Sequence, residues 1–356
     1  MRIAILGSVA LPIPPPAQGG TEWIAYHQAI GLAKRGHEIT LLAARGSAEN
    51  FQWSKVKVME VGGGDVVTGS IKEQQLDPVT TESSRKLRLE IVYLSEAAEK
   101  LIELKDDYDL ILNNMRGEGV FLPVAKLLNK PFVNVMHLNL FPELVNLFKI
   151  FNAHVITISN AQRKNYPDLN YLATVYNGVD INQFPFNAKP QGYLLTMGTI
   201  GRHKNQKVAI DVAKKLGMKL ILAGKIRDLD YYQEIKKDID GKQIVHLGEV
   251  DFESKVKLYQ NAKAFLFPIL WEEPFGLVMI EAMSCGTPVV AYNRGAISEV
   301  LINGLTGFVV ENDSQMIEAV GKISSIDRMA CRKRVEENFT VERMVNDYEK
   351  SLSKVI

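Results

Sequence analysis

Apolar residues in this chain alternate between short unbroken runs and longer stretches that repeat every three or four positions. The runs predict buried strands at Ile3–Leu6, Ile39–Ala43, Val56–Val61, Leu110–Leu112, Phe132–Met136 and His154–Ile158. A helix from about Thr21 to Arg35 carries Trp23, Tyr26, Ile30 and Ala33 on one stripe and ends at Gly36. A longer one near Ser83–Lys105 repeats Leu87, Ile91, Leu94, Ala98 and Leu101. The Pro-rich segment Pro12–Pro16 suits neither a helix nor an inner strand, so it is a loop, and Gly62-Gly63-Gly64 breaks the third unit.

Phe184–Gly192, with two prolines and no period, reads as a linker. The alternation then resumes with strands Tyr193–Met197, Lys219–Ala223, Ile244–Leu247, Ala264–Phe267 and Pro288–Ala291. Helices Asn205–Leu216, Leu229–Ile239, Glu253–Asn261 and Gly276–Ser284 lie between them. Strand and helix in strict turn mean an α/β protein with parallel sheets covered on both faces. The 356 residues allow two such domains, each able to bury a core. The pattern divides them as 1–186 and 187–340, with a final helical segment at 341–356.

Charge narrows the partners. Forty-two basic residues against 41 acidic ones leave +1, so neither nucleic acid nor a strongly anionic surface is called for. Cys285 and Cys331 make no disulfide framework and suit a reducing cytosol. Cys285, in a helix-end Ser-Cys-Gly-Thr-Pro turn, reads as a small buried side chain. No apolar run reaches the ~20 residues of a membrane span, and Met1 leads straight into a strand without a leader pattern. The expectation is a cytoplasmic protein, with room for a peripheral contact at the inner membrane face.

Candidate chemistry concentrates between Trp271 and Val290. Glu273 falls in the loop after a strand and Glu281 inside the next helix, at the sheet edge where ligands bind in open α/β folds. Eight helical positions rise roughly 12 Å, whereas a glycosidase needs its two acids about 5–5.5 or 6.5–9.5 Å apart. The pair therefore suits an extended ligand such as a nucleotide-sugar, one Glu meeting the sugar and the other the ribose. The N–H groups of Phe275, Gly276 and Leu277 at the helix start are free to bind hydroxyls or phosphate. Gly19-Gly20, between a strand and a helix, offers a second close backbone approach to phosphate. Asp228-Leu229-Asp230 and Asp107-Tyr108-Asp109 mimic a metal-binding Asp-x-Asp but sit at element boundaries, and no cluster has metal-ligand spacing, so no metal site is expected.

Glu273 and Glu281 eight apart, with Pro274-Phe275-Gly276 and Cys285-Gly286-Thr287-Pro288, resemble the signature of glycosyltransferase family 4. Met1–Ser8, Gly19-Gly20-Thr21-Glu22, Tyr176–Asp180 and Gly304–Phe308 agree with it in order, and the likeness is poorest from about Gly46 to Lys105. The resemblance implies a GT-B architecture: two Rossmann-like, doubly wound domains facing across a cleft, the first on the acceptor side, the second on the donor side. The last helix, near Val341–Lys354, would cross back onto the first domain. It further implies a retaining hexosyltransferase, free of metal and cofactor. Its UDP- or GDP-linked co-substrate would donate to a saccharide, lipid-linked or small-molecule acceptor.

By the same resemblance Glu273, Lys204 and His137 form the catalytic set. Gly19, Gly20, Arg202, Lys204, Phe275, Gly276, Leu277 and Glu281 hold the donor. His137 positions the sugar, through its backbone carbonyl rather than as a base, and Asn177–Asp180 is a structural turn. Similar enzymes carry an Arg five positions before the Lys that grips the phosphates; here that position is Thr199, and Arg202 is the nearest replacement. A 2-epimerase-like enzyme and a nucleotide-sugar-binding regulator without turnover are the alternatives, the latter favoured by Thr199. Incubation with donor alone and with donor plus acceptor separates all three.

Overall fold

The computed structural model describes residues 1–16, 19–52, 54–63 and 82–356; Gly64 lies outside the described residues. Two compact units emerge. One comprises Met1–Ile158, Arg163–Val175 and Met344–Ile356, the other Ser159–Gln162 and Tyr176–Arg343. Apart from the short excursion Ser159–Gln162, the chain changes unit at 175/176 and 343/344; the sequence pattern places the boundaries at 186/187 and 340/341.

In the first unit β1 (Arg2–Ser8), α1 (Gly20–Lys34), β2 (Glu38–Ala43), β3 (Val56–Glu60), α2 (Glu82–Glu103), β4 (Leu110–Asn113), α3 (Glu118–Leu128), β5 (Phe132–Met136), α4 (Pro142–Phe151), β6 (His154–Thr157) and β7 (Tyr171–Thr174) follow in order. The strands pair in parallel as β3-β2-β1-β4-β5-β6-β7. Ile3 to Leu6, like all of β4 and β5, are buried, as a sheet covered on both faces requires. One core holds Leu94, Leu101, Phe121 and Phe148 around a fully buried Tyr108, whose hydroxyl donates to Leu101 O at 2.9 Å.

Two stripes read from the sequence need correcting. On α1 the buried face is Ile24, Ala25, Gln28, Ala29 and Leu32; Ile30 is also buried, but Trp23, Tyr26 and Ala33 are only half-buried. Gln28 is accommodated there because Asn114 Nδ2 donates to its Oε1 at 2.8 Å, which gives the buried amide oxygen a partner. On α2 the buried face is Leu94, Ala97, Ala98 and Leu101 in the C-terminal half, while Leu87 and Ile91 stay exposed.

The second unit runs β8 (Tyr193–Met197), α5 (Gln206–Lys215), β9 (Leu220–Ala223), α6 (Leu229–Lys236), β10 (Ile244–His246), α7 (Phe252–Asn261), β11 (Ala262–Phe267), α8 (Leu277–Ser284), β12 (Val289–Tyr292), α9 (Ile297–Val300), β13 (Gly307–Val310), α10 (Asp313–Lys322) and α11 (Arg328–Asn338). Its sheet is also parallel, in the order β10-β9-β8-β11-β12-β13. Side chains of Asp228, Asp251, Asn312 and Asp327 cap the starts of α6, α7, α10 and α11. Two guanidiniums knit the carbonyl ends together. Arg328 donates to Asn187, Gln260 and Ala262, and Arg332 to Ile181, Phe184 and Ser284.

The last helix, α12 (Val341–Leu352), carries Met344 onward as part of the first unit. Val345 lies so close to Gly31 of α1 that a Cβ there would come within 2.5 Å of it. Tyr348 is fully buried, and Glu349 pairs with Arg35 at 2.7 Å and His37 at 2.8 Å. Both units are Rossmann-like α/β domains. No helix among the described residues is long and apolar enough to cross a membrane.

Candidate functional site

In the second sheet the strand order turns back between β8 and β11. Loops leaving the C-terminal ends of two such strands diverge and leave a crevice, the usual ligand position in an open parallel sheet. Lys204 comes from the loop after β8 and Glu273 from the loop after β11, which is why residues so distant in sequence meet. Lys204 Nζ stands 3.6 Å from Glu273 Oε2. The same oxygen accepts a 3.0 Å hydrogen bond from the indole N–H of Trp271. Lys204 Nζ also lies 5.2 Å from the ring centres of both Phe267 and Trp271. The two loops are tied by a bond from Leu270 N–H to His203 O, 3.0 Å. Glu273 is buried, so its carboxylate relies on these partners in place of water.

Gly295 fixes the main chain at Glu273. A Cβ on Gly295 would fall 2.2 Å from Glu273 O and 2.5 Å from its N, and φ there is +59°. The following N–H, of Ala296, donates to Glu273 O at 2.9 Å. Pattern reading passed over Gly295, since one glycine in a loop has no period to mark it.

Helix α8 starts at Leu277, after Gly276 in the left-handed region (φ +90°). The stretch from Glu273 to Gly276 is therefore loop, and the 12 Å rise expected from eight helical residues does not apply. The N–H groups of Gly276 and Leu277 have no partner inside the helix. Phe275 is an anchor, buried with its ring 6.0 Å from Tyr176 and 5.7 Å from Phe339. Glu281, one turn into α8, is gripped by both oxygens. Lys255 Nζ donates to Oε1 at 2.9 Å and the Tyr259 hydroxyl to Oε2 at 3.0 Å. Tyr259 is fully buried, and burial beside that carboxylate pushes its phenol well above the ordinary range. A carboxylate has about four lone-pair directions, so Glu281 can still accept from other hydroxyls.

Arg202 stands apart from the Lys204–Glu273 pair. Its guanidinium is exposed and turned to Glu234, at 2.5 and 3.2 Å, over the Tyr231 ring. Thr199 contributes its carbonyl, which accepts from Gln206 Nε2 at 3.0 Å.

Gly19, Gly20 and His137 belong to the first unit. Gly19 precedes α1, and its carbonyl accepts from Trp23 N–H at 3.1 Å. Glu22, in the first turn, is buried and accepts from the Ser8 hydroxyl at 2.9 Å; burial raises its pKa. His137 follows β5, with Nε2 2.9 Å from Asn114 Oδ1. Because Asn114 Nδ2 donates to Gln28, its oxygen faces the imidazole, which places the proton on Nε2 and a lone pair on Nδ1. Burial pushes this histidine down to about 4, so it is neutral at physiological pH.

The remaining candidates have structural work. Asp228 caps α6, Asp107 pairs with Lys57 at 3.0 Å and Asp109 with Arg2. Gly178 passes so close to Thr340 that a Cβ would reach its carbonyl oxygen at 2.3 Å. Cys285 and Cys331 are buried thiols, each pushed up to about 12. Among the described residues no group of three or more His, Cys, Asp or Glu side chains could hold a metal ion. Sequence reading missed Trp271, Lys255 and Tyr259 as site partners, although Trp271 lies two residues from Glu273.

Residues 18–183 match the family described as Glycosyltransferase Family 4, and residues 180–338 match Glycosyl transferases group 1. An uncharacterised glycosyltransferase of Methanocaldococcus jannaschii is 22% identical over 360 residues, covering 88% of this chain and 87% of that protein. The phosphatidyl-myo-inositol mannosyltransferase of Mycolicibacterium smegmatis is 24% identical over 331 residues, with 88% and 81% covered. Among solved structures, Anabaena Alr3699/HepE in complex with UDP and glucose shares the fold with a TM-score of 0.74 at 20% identity, over 99% of both chains. AviGT4, a glycosyltransferase involved in avilamycin A biosynthesis, gives 0.72 at 20% identity over 99% of this chain and 97% of its own. With its two halves matching these two glycosyltransferase families in succession, the chain is a family 4-like glycosyltransferase and has the GT-B fold.

Proposed function

We propose that the protein is a retaining hexosyltransferase that takes its sugar from a UDP- or GDP-linked donor and passes it to a hydroxyl of a saccharide, lipid-linked or small-molecule acceptor. The observation that carries this reading is the buried Glu273 carboxylate set against Lys204 at the switch point of the second sheet. Beside it lies the start of α8, whose N–H groups favour negative charge. The Anabaena relative holds UDP and glucose, which supports a nucleotide-sugar.

In this reading Lys204 neutralises the diphosphate as negative charge develops on the leaving group. Glu273 accepts from sugar hydroxyls and faces the cationic sugar carbon in the transition state. Glu281 accepts from ribose hydroxyls while keeping Lys255 and Tyr259. Gly19 and Gly20 approach the phosphates through backbone N–H, Arg202 adds a second cation, and His137 orients the sugar. The bond from the anomeric carbon to the phosphate oxygen breaks, the acceptor oxygen bonds to the same face, and its proton passes to the leaving phosphate. No metal ion is needed for that step.

The test is transfer from UDP-glucose and GDP-mannose to a panel of hydroxyl acceptors, with the product anomer read by NMR and the assay repeated in excess chelator. Glu273→Gln should cut turnover by about 10²–10³ and leave UDP or GDP affinity unchanged. Inverted product, or activity restored only by added manganese or magnesium, refutes the mechanism. A regulator without turnover is the second reading, favoured by Thr199 and by the engagement of Arg202 with Glu234. Donor binding with neither transferred nor epimerised sugar would establish it.

A further inference from the structure

Trp271 has no part in the reading above, yet its side chain touches both charged groups at its centre. Its N–H donates to Glu273 Oε2 at 3.0 Å, and its ring centre lies 5.2 Å from Lys204 Nζ. The His203 ring meets it edge-on at 6.1 Å, and the bond from Leu270 N–H to His203 O holds the preceding turn. Phe267, nearly fully buried at the end of β11, presents the second ring to Lys204. The indole is thus fixed on both sides of its contacts.

We propose that Trp271 is a positioning residue for the transfer step: its N–H orients the Glu273 carboxylate, and its ring face holds the Lys204 ammonium in place for a phosphate. This rests on the reading of the site as a nucleotide-sugar site. The indole N–H and Lys204 both act on Oε2, so Oε1 is the oxygen turned to the ligand. At 3.6 Å the Lys204–Glu273 contact exceeds an ordinary hydrogen bond, so an arriving diphosphate can draw Lys204 away. Glu273 then keeps the indole as its fixed donor, and the two aromatic faces keep the ammonium from following its new partner out of place. A lysine without those faces would lose more rotamer freedom on binding.

The two roles come apart at one atom. Replacing Trp271 with 3-benzothienylalanine keeps the ring and removes only the N–H; Trp271→Leu removes both. The benzothienyl protein should bind UDP like wild type and lose about 10- to 100-fold in kcat, the loss expected for one hydrogen bond to a charged group. It should also lose the extra affinity of UDP-glucose or GDP-mannose over UDP or GDP, a readout that needs no turnover. Trp271→Leu should add a rise of about 3- to 10-fold in the Kd of UDP or GDP, from the lost ring face. Equal effects of both variants on nucleotide Kd and kcat, as simple loss of packing would give, overturn the proposal, as does a fully active benzothienyl protein. A wild-type chain that binds intact donor but transfers nothing refutes the transferase reading alone, because the two affinity comparisons still judge Trp271. A chain that binds neither nucleotide refutes both.

Discussion

Removing the Glu281 carboxylate should strand a phenol, and the energy can be worked out from its surroundings. The Tyr259 hydroxyl is fully buried and donates to Glu281 Oε2. Leaving such a donor without an acceptor costs about 1–3 kcal/mol. Lys255 is less affected. Its side chain keeps 22% exposure, and its ammonium lies 4.9 and 5.4 Å from the rings of Phe252 and Phe184, so it retains water and two aromatic faces. Loss of that pair adds about 1 kcal/mol at most. Glu281→Ala should therefore destabilise by roughly 1–4 kcal/mol in sum. Tyr259→Phe, which leaves the carboxylate its lysine, should cost about 1 kcal/mol. In the double variant the stranded donor is gone, so the two costs should fall short of additivity by about 1–2 kcal/mol. Urea unfolding of the full chain, fitted with a common slope, measures all four corners of the cycle. Strict additivity would falsify the claim that the Tyr259–Glu281 bond is what the site spends on holding Glu281. UDP titration of Tyr259→Phe completes the test: if that bond orients Glu281 for a ribose, affinity weakens without any change at the phosphates.

Lys204→Ala should weaken UDP binding more than uridine binding and lower turnover further, if its charge acts on phosphate as proposed. Arg202→Ala, compared in the same titrations, decides whether an arginine held by Glu234 reaches the diphosphate, and unchanged rate and affinity exclude it. Gly295→Ala should cost more than about 2 kcal/mol and nearly all activity, since its Cβ would overlap the Glu273 backbone. Gly304→Ala, also at positive φ (+79°) but with nothing within 4 Å, should cost about 1 kcal/mol and leave activity intact. His137, held down to about 4 against an ordinary 6.5, should make stability fall as pH drops from about 6.5 to about 4, where only the unfolded chain takes up the proton. The difference amounts to about 3 kcal/mol, and urea midpoints of His137→Asn across that range should lack it; parallel profiles exclude the assignment.

Much of the architecture was legible because buried parallel strands are continuous apolar runs. Phe132–Met136 and Tyr193–Met197 were delimited to the residue. What escaped notice has physical reasons. Helix α3 carries Pro123 inside it, α9 is a single turn, and α11 has only Cys331 and Val335 buried among charged neighbours. The stripe on α1 was misjudged because Gln28, a polar residue, holds a core position through Asn114. At the site, spacing located Glu273 and Glu281 but said nothing of their partners, since Lys255 and Tyr259 reach Glu281 from another helix. The family pattern pointed at Thr199 and Arg202, whereas the bonds of Arg202 lead to Glu234, a residue no motif marks.

Three cation–carboxylate pairs that involve the candidate donor-binding residues of the second unit differ in how easily a ligand can open them. Lys255–Glu281 is close, at 2.9 Å, and reinforced by a buried phenol. Arg202–Glu234 is closer still, at 2.5 Å, but lies in solvent, where salt and water compete with it. Lys204–Glu273 is the loosest, at 3.6 Å, and largely shielded from water. A diphosphate entering the proposed site must take a cation from a carboxylate, and the exchange is cheapest where the original contact is long and the carboxylate keeps another donor. Only Glu273 meets both conditions, through the Trp271 N–H. Ribose hydroxyls make no such demand at Glu281, because they donate to lone pairs that Lys255 and Tyr259 leave open. The nearly neutral charge of the chain therefore suits the proposed chemistry: a nucleotide-sugar would be recognised by exchange of partners at Lys204 and by addition of partners at Glu281, with no excess positive field required.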